Sequence, residues 1–132
     1  MTDRATLCAE FLLKSGWGDA TRASLAGDAS NRRYERLQHP ILGPAVLMDA
    51  PPSKGEDVRP FIAIAEHLTT LGLSSPRILA GDSANGFLLL EDLGDALFAR
   101  VVLANPMLEM PLYEAATDVL LNLHRAPFPD EF

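Results

Sequence analysis

Four consecutive apolar residues, Phe87-Leu88-Leu89-Leu90, constrain the fold of this chain more than any other stretch. They follow a turn signal, Asp82-Ser83-Ala84-Asn85-Gly86, and give way at once to Glu91-Asp92-Leu93-Gly94. Successive side chains of a strand point to opposite faces, so an unbroken apolar run of this length fits a core strand buried on both faces. Gly94 permits a sharp bend where the strand ends. The segment Arg77-Ile78-Leu79-Ala80-Gly81 reads as the strand that precedes the turn.

Three further strands are expected upstream, at about 22–26, 32–38 and 45–49. No helical stripe runs through this region, and its short apolar stretches are separated by the turn signals 27–31 and 39–44. The pattern breaks at Asp49-Ala50-Pro51-Pro52-Ser53, because two prolines cannot donate to a central ladder. Helices flank the strands. Asp3 caps a first one, with Leu7, Cys8, Phe11 and Leu12 on one stripe, Gly16 just past its end and Trp17 packing back. Asp57 opens a second, with Pro60 in its first turn, a core stripe of Val58, Phe61, Ile62, Ala65, Leu68 and Leu71, and Gly72 closing it. A short helix at about 95–103 stops before Pro106. A last one, from about Pro111 to His124, carries Leu112, Ala116, Val119, Leu120 and Leu123 on one face. Helix, three strands, helix, two strands, helices: this order predicts an α+β fold with an antiparallel sheet.

The 132 residues amount to one domain, or part of a larger one, and 48% hydrophobic residues suffice for a core without disulfides. A net charge of -7 and a pI near 4.8 argue against non-specific binding to nucleic acid or anionic membranes. There is one cysteine, Cys8, on an apolar stripe where core packing is the simplest role. His39, His67 and His124 lack metal-ligand spacing. No apolar run reaches the length of a membrane span, and the N-terminus lacks signal-peptide organisation, so a cytoplasmic protein is expected.

The stretches "LAGDAS", "MDAPP" and "LLLEDLGD", supported by "RPFIAIAEHLTTLGLSSPRILAGD" and "LLNLHRAPFP", resemble the aminoglycoside phosphotransferase family of the protein-kinase-like fold. They are more similar still to its bacterial branch of anomeric sugar kinases, which phosphorylate N-acetylmuramate or N-acetylglucosamine in cell-wall recycling. The resemblance covers nearly the whole chain. It implies a kinase-like N-terminal lobe with a five-stranded antiparallel sheet and a hinge at 1–94, followed by the first helices of a C-terminal lobe at 95–132. It also implies ATP and Mg²⁺ as cofactors and transfer of the γ-phosphate to a hydroxyl of an amino sugar or aminoglycoside. The family's catalytic-loop motif, HGDxxxxN, is absent from these residues, so the chain by itself is expected to be inactive, with Mg²⁺ ligands in the missing lobe. The alternative is a non-catalytic lobe that binds a nucleotide or a protein partner. A homodimer through the surface that faces the C-terminal lobe is a further expectation.

Within that resemblance the loop Gly27-Asp28-Ala29-Ser30-Asn31-Arg32 is the expected cover for the nucleotide phosphates. Backbone N–H groups would supply the contacts, and small Ala29 and Ser30 would let the backbone approach. The same residues also suit an ordinary Asp/Asn hairpin turn. They form neither a Walker loop nor a dinucleotide fingerprint. Kinases of this fold carry a lysine near the end of the third strand, paired to a glutamate on the next helix. The nearest positions here are Met48 and Asp49, and Lys54, Arg59, Arg32 and Arg33 are the candidate substitutes. Asp49 needs a partner, either one of these cations or the turn that follows it. Glu91 C=O and Leu93 N–H are the expected adenine contacts, with Leu88 or Leu90 and Val46 or Met48 as an apolar shelf.

Overall fold

Asp3 begins the first helix as the sequence predicts: its carboxylate accepts from the N–H of Thr6 at 2.7 Å and caps α1 (Arg4–Lys14). The computed structural model describes residues 2–26 and 29–131. After α1 come β1 (Thr21–Leu25), β2 (Arg33–His39) and β3 (Gly43–Asp49), a 3₁₀ turn at Pro52–Lys54, and α2 (Arg59–Thr70). Next are β4 (Ile78–Asp82), β5 (Phe87–Glu91) and α3 (Phe98–Ala104). A second 3₁₀ turn, Pro106–Leu108, leads into α4 (Glu109–Arg125).

The five strands form one antiparallel sheet in the order β1-β2-β3-β5-β4. β5 therefore lies between β3 and β4, and Phe87, Leu88, Leu89 and Leu90 are all buried. Its alternation divides the core in two. Phe87 and Leu89 join Leu37, Ala45 and Leu47 under Cys8, Phe11 and Leu12 of α1, with Trp17 packed back as expected. Leu88 and Leu90 join Met48, Ala50 and Val58, with Phe61 and Ile62 of α2 beside them. Burying a side chain of this size contributes about 1.5–3 kcal/mol, so the strand ties both helices to the sheet.

One position holds the third strand's exit against the β4–β5 hairpin. Gly86 has φ 77, and a Cβ there would overlap the carbonyl oxygen of Ala50. Ala50 N–H in turn donates to Gly86 C=O at 2.8 Å. Only glycine meets both demands.

Two expectations need correction. α4 starts at Glu109 rather than about Pro111. No residue of α4 is buried, and Leu120 is 64% exposed; α4 packs on α3, the adjoining turn and one flank of α2 rather than into the two core clusters. The short helix starts at Phe98, three residues later than expected, because residues 92–95 are held in a separate set of ion pairs. No helix among the described residues is long and apolar enough to cross a membrane.

Candidate functional site

The register of the sheet sorts the candidate residues by face. Ala23, Leu25, Tyr34, Arg36, Val46, Met48, Leu88 and Leu90 share the face that α2 partly covers. Arg22, Glu35, Leu47, Asp49 and Phe87 share the other, under α1. The β1–β2 loop lies at the end of the sheet where Arg33 pairs with Asp49 and Asp49 with Phe87; Glu91 lies at the other end, opposite Ala45. The two ends are four residues of β5 apart, roughly 13 Å at the usual strand rise. The described loop residues 29–32 and the Glu91–Gly94 segment thus lie at opposite ends of the sheet.

At the loop end, Gly27 and Asp28 lie outside the described residues. Ala29, Ser30 and Asn31 are exposed. Arg32 N–H donates to Ser30 Oγ at 3.2 Å, a local turn contact. Glu56, just before α2, ties the loop down: its carboxylate accepts from Asn31 N–H at 3.2 Å and from Arg32 Nε at 2.8 Å. Asn31 Nδ2 donates to the Lys54 carbonyl at 3.3 Å, which sets Lys54 beside the loop. The Glu56 contacts were not foreseen from the sequence, because they join positions 24 and 25 residues apart.

The cations proposed for the third-strand lysine's task divide sharply. Arg32 is committed to Glu56 and Arg59 to Asp57, whose carboxyl the Arg59 guanidinium pulls down to about 2. Arg33 stands 3.9 Å from Asp49 with most of its surface in solvent. Lys54 makes no ion pair among the described residues. Met48 has no exposed surface and packs within the core under α2, so in this structure it offers a ligand nothing to touch. Asp49 points to the opposite face. Its main partner is one the sequence did not suggest: Arg4 of α1 donates to it at 2.6 Å, reaches the Asn85 carbonyl at 2.7 Å, and lies over the Phe87 ring at 4.3 Å.

At the other end, Val46 is half-buried opposite buried Leu90, and the two form an apolar floor that runs to Glu91. The Glu91 side chain pairs with Arg77 at 2.7 Å, and the Glu91 N–H donates to the Arg77 carbonyl at 2.8 Å. Leu93 is exposed, and its N–H finds no acceptor among the described residues. Arg36, on the same face as Val46 and directly opposite it in the ladder, organises this segment. Its guanidinium donates to both carboxylate oxygens of Asp92, at 2.7 and 3.1 Å, and to both of Asp95, at 2.8 and 3.2 Å. Asp92 also accepts from Gly94 N–H at 2.8 Å. The hydrogen bonds from Arg36 hold the carboxyls of Asp92 and Asp95 below the usual range, and those carboxylates raise the guanidinium's own affinity for its proton.

Chemically, this face offers an apolar floor, backbone groups at one end and a polar loop with adjacent cations at the other. That set suits a base, a sugar and phosphates laid along one line. The residues fit ATP in type. For Mg²⁺, no group of three carboxylate, histidine or cysteine side chains comes together among the described residues, and no ligand is assigned to it. Two hollows lie elsewhere: an apolar cleft of about 770 Å³ between α2 and α4 with its following tail, and a smaller, arginine-lined pocket of about 280 Å³ between α1 and the sheet.

Comparison with known proteins bears on the family of the chain. The chain is 41% identical to an N-acetylmuramate/N-acetylglucosamine kinase of Caulobacter vibrioides over 97% of its own length and 42% of that protein's. It is 44% identical to the protein of the same description in Pseudomonas aeruginosa, over 88% of this chain and 34% of the relative, and 39% identical to that of Pseudomonas putida. The chain thus spans less than half the length of these relatives. The model of the phosphotransferase enzyme family matches residues 21–132, from the first residue of β1 through α4, taking in the whole sheet and both ends of the candidate site. With the sheet order, the two-sided core and the sequence match in accord, the chain belongs to the phosphotransferase enzyme family.

Proposed function

We propose that this chain is the ATP-holding lobe of a small-molecule kinase whose acceptor is an amino sugar, with N-acetylmuramate and N-acetylglucosamine as the first candidates. The observation that carries the reading is the similarity, over 97% of this chain, to a relative described as an N-acetylmuramate/N-acetylglucosamine kinase. Residues 1–94 are read as the lobe with its hinge, and 95–132 as the first helices of a second lobe. When bound, ATP supplies the phosphoryl group that is transferred. Glu91 C=O and Leu93 N–H meet the base, Val46 and Leu90 carry it, and the loop from Gly27 to Arg32 covers the phosphates. Lys54, beside that loop and outside any ion pair among the described residues, is the cation assigned to phosphate in place of the third-strand lysine. The groups that activate the acceptor hydroxyl and hold Mg²⁺ are assigned to protein beyond these residues, in a cytoplasmic enzyme.

The test is a phosphotransfer screen with the protein at its natural length, γ-labelled ATP and Mg²⁺, against N-acetylmuramate, N-acetylglucosamine and an aminoglycoside. Label is expected on one of the amino sugars, and Lys54→Ala should raise the KM for ATP about tenfold, the loss of a charge-assisted contact. Label on none of the three sinks the reading. A second reading, a lobe that binds a partner without catalysis, is favoured by the exposed apolar face of α4, where Leu120, Leu121 and Val119 stand open. ATP binding with no transfer to any acceptor would select it.

A further inference from the structure

We propose that Arg36 is a positioning residue for nucleobase recognition: its clamp on Asp92 and Asp95 fixes the Glu91–Gly94 backbone against the apolar floor of Val46 and Leu90. This rests on the reading of that segment as the nucleotide hinge. The clamp is more than a surface ion pair. One guanidinium meets two carboxylates, each through both oxygens, at 2.7–3.2 Å. The Asp92 side chain is only 7% exposed, and its Oδ1 also takes the Gly94 N–H, so a single carboxylate sets both side-chain charge and backbone direction. Such a fork leaves the guanidinium little rotational freedom.

The location gives the clamp its role. Arg36 comes from the strand that also leads out of the β1–β2 loop, and it sits opposite Val46. Asp92 directly follows β5, and Asp95 lies three residues before α3. The contact joins residues 56 and 59 positions apart and closes the floor to the segment that bends out of the sheet at Gly94, where φ is 84. Backbone groups read a base only when held still, since any ordering left to the moment of binding subtracts from affinity. Without the clamp, the Leu93 N–H would sample many directions about Gly94.

The test uses the protein at its natural length and two variants. Arg36→Gln removes the cation. The double variant Arg36→Gln with Asp92→Asn also neutralises the carboxylate that would otherwise be left buried and alone, which guards against simple unfolding. Amide hydrogen exchange is read at residues 92–96, and dissociation constants are read for ATP and GTP. Faster exchange confined to this segment is expected, with ATP binding weakened about tenfold and GTP binding weakened less, so that base discrimination falls. Unchanged exchange overturns the clamp. Faster exchange with both nucleotides weakened equally, or neither, overturns the base-positioning role and leaves a structural brace. Should the unsubstituted protein bind neither nucleotide, the kinase reading falls first and the base-positioning role with it.

Discussion

Met48 and Asp49 are the two residues nearest the place where kinases of this fold carry a lysine, and the strand's alternation gives them opposite fates. Met48 faces Val58, Leu88 and Leu90 and is fully covered; Asp49 faces α1 and is held by Arg4. Met48 has no space for an ammonium, and Asp49 is already engaged by Arg4 on the other face. Met48→Lys should therefore cost stability rather than improve phosphate binding. An unpaired charge in that core is expected to lower the free energy of unfolding by about 3 kcal/mol or more, read from the urea midpoint. A variant as stable as the original would show that a path from Met48 to solvent or phosphate exists. The sequence left both positions open because residue type alone does not say which face a strand residue takes.

Among the elements, the join between β2 and the segment after β5 has a pH signature with a definite sign. Asp92 and Asp95 both hold folded-state pKa values below their ordinary 3.8. Between those lowered values and 3.8 the unfolded chain binds more protons, so stability rises with pH across that window and its full contribution is present above it. Acidification through the window removes it. In Arg36→Gln with Asp92→Asn this part of the acid response disappears, so the fall in unfolding midpoint from pH 5 to pH 3 should be shallower than in the unsubstituted chain. Equal slopes would mean that the pairs seen here carry no net linkage. The two aspartates were visible in "EDLGD", and Gly94 marked the bend, but their partner lay in a strand whose register no local pattern reveals.

At the level of the whole molecule, the two halves of the sequence are buried very differently. The strands, α1 and α2 close a two-sided core, whereas α3, α4 and the tail leave Leu97, Leu103, Met107, Leu120 and Phe128 more than half exposed. An amphipathic helix without a covering layer is a surface in search of a partner. The 132-residue chain is expected to self-associate with rising concentration in sedimentation velocity, and Leu120→Ser with Phe128→Ser should return it toward the monomer. A monomer at all concentrations would remove the homodimer from consideration.

The sequence by itself determined the alternation of elements and the burial of β5 on both faces. Apolar period, proline position and glycine turns are local properties, and they suffice to mark a strand buried on both faces. It also carried the family, because "LAGDAS", "MDAPP" and "LLLEDLGD" keep their identity without coordinates. Only the tertiary structure decided which side of the sheet each candidate faces and which charges are already spoken for. Arg4 with Asp49, Glu56 with Arg32, and Arg36 with Asp92 are all pairings between distant segments. Charged side chains are common and interchangeable in sequence. Their partners are chosen by strand register and helix docking, which depend on the whole packed core.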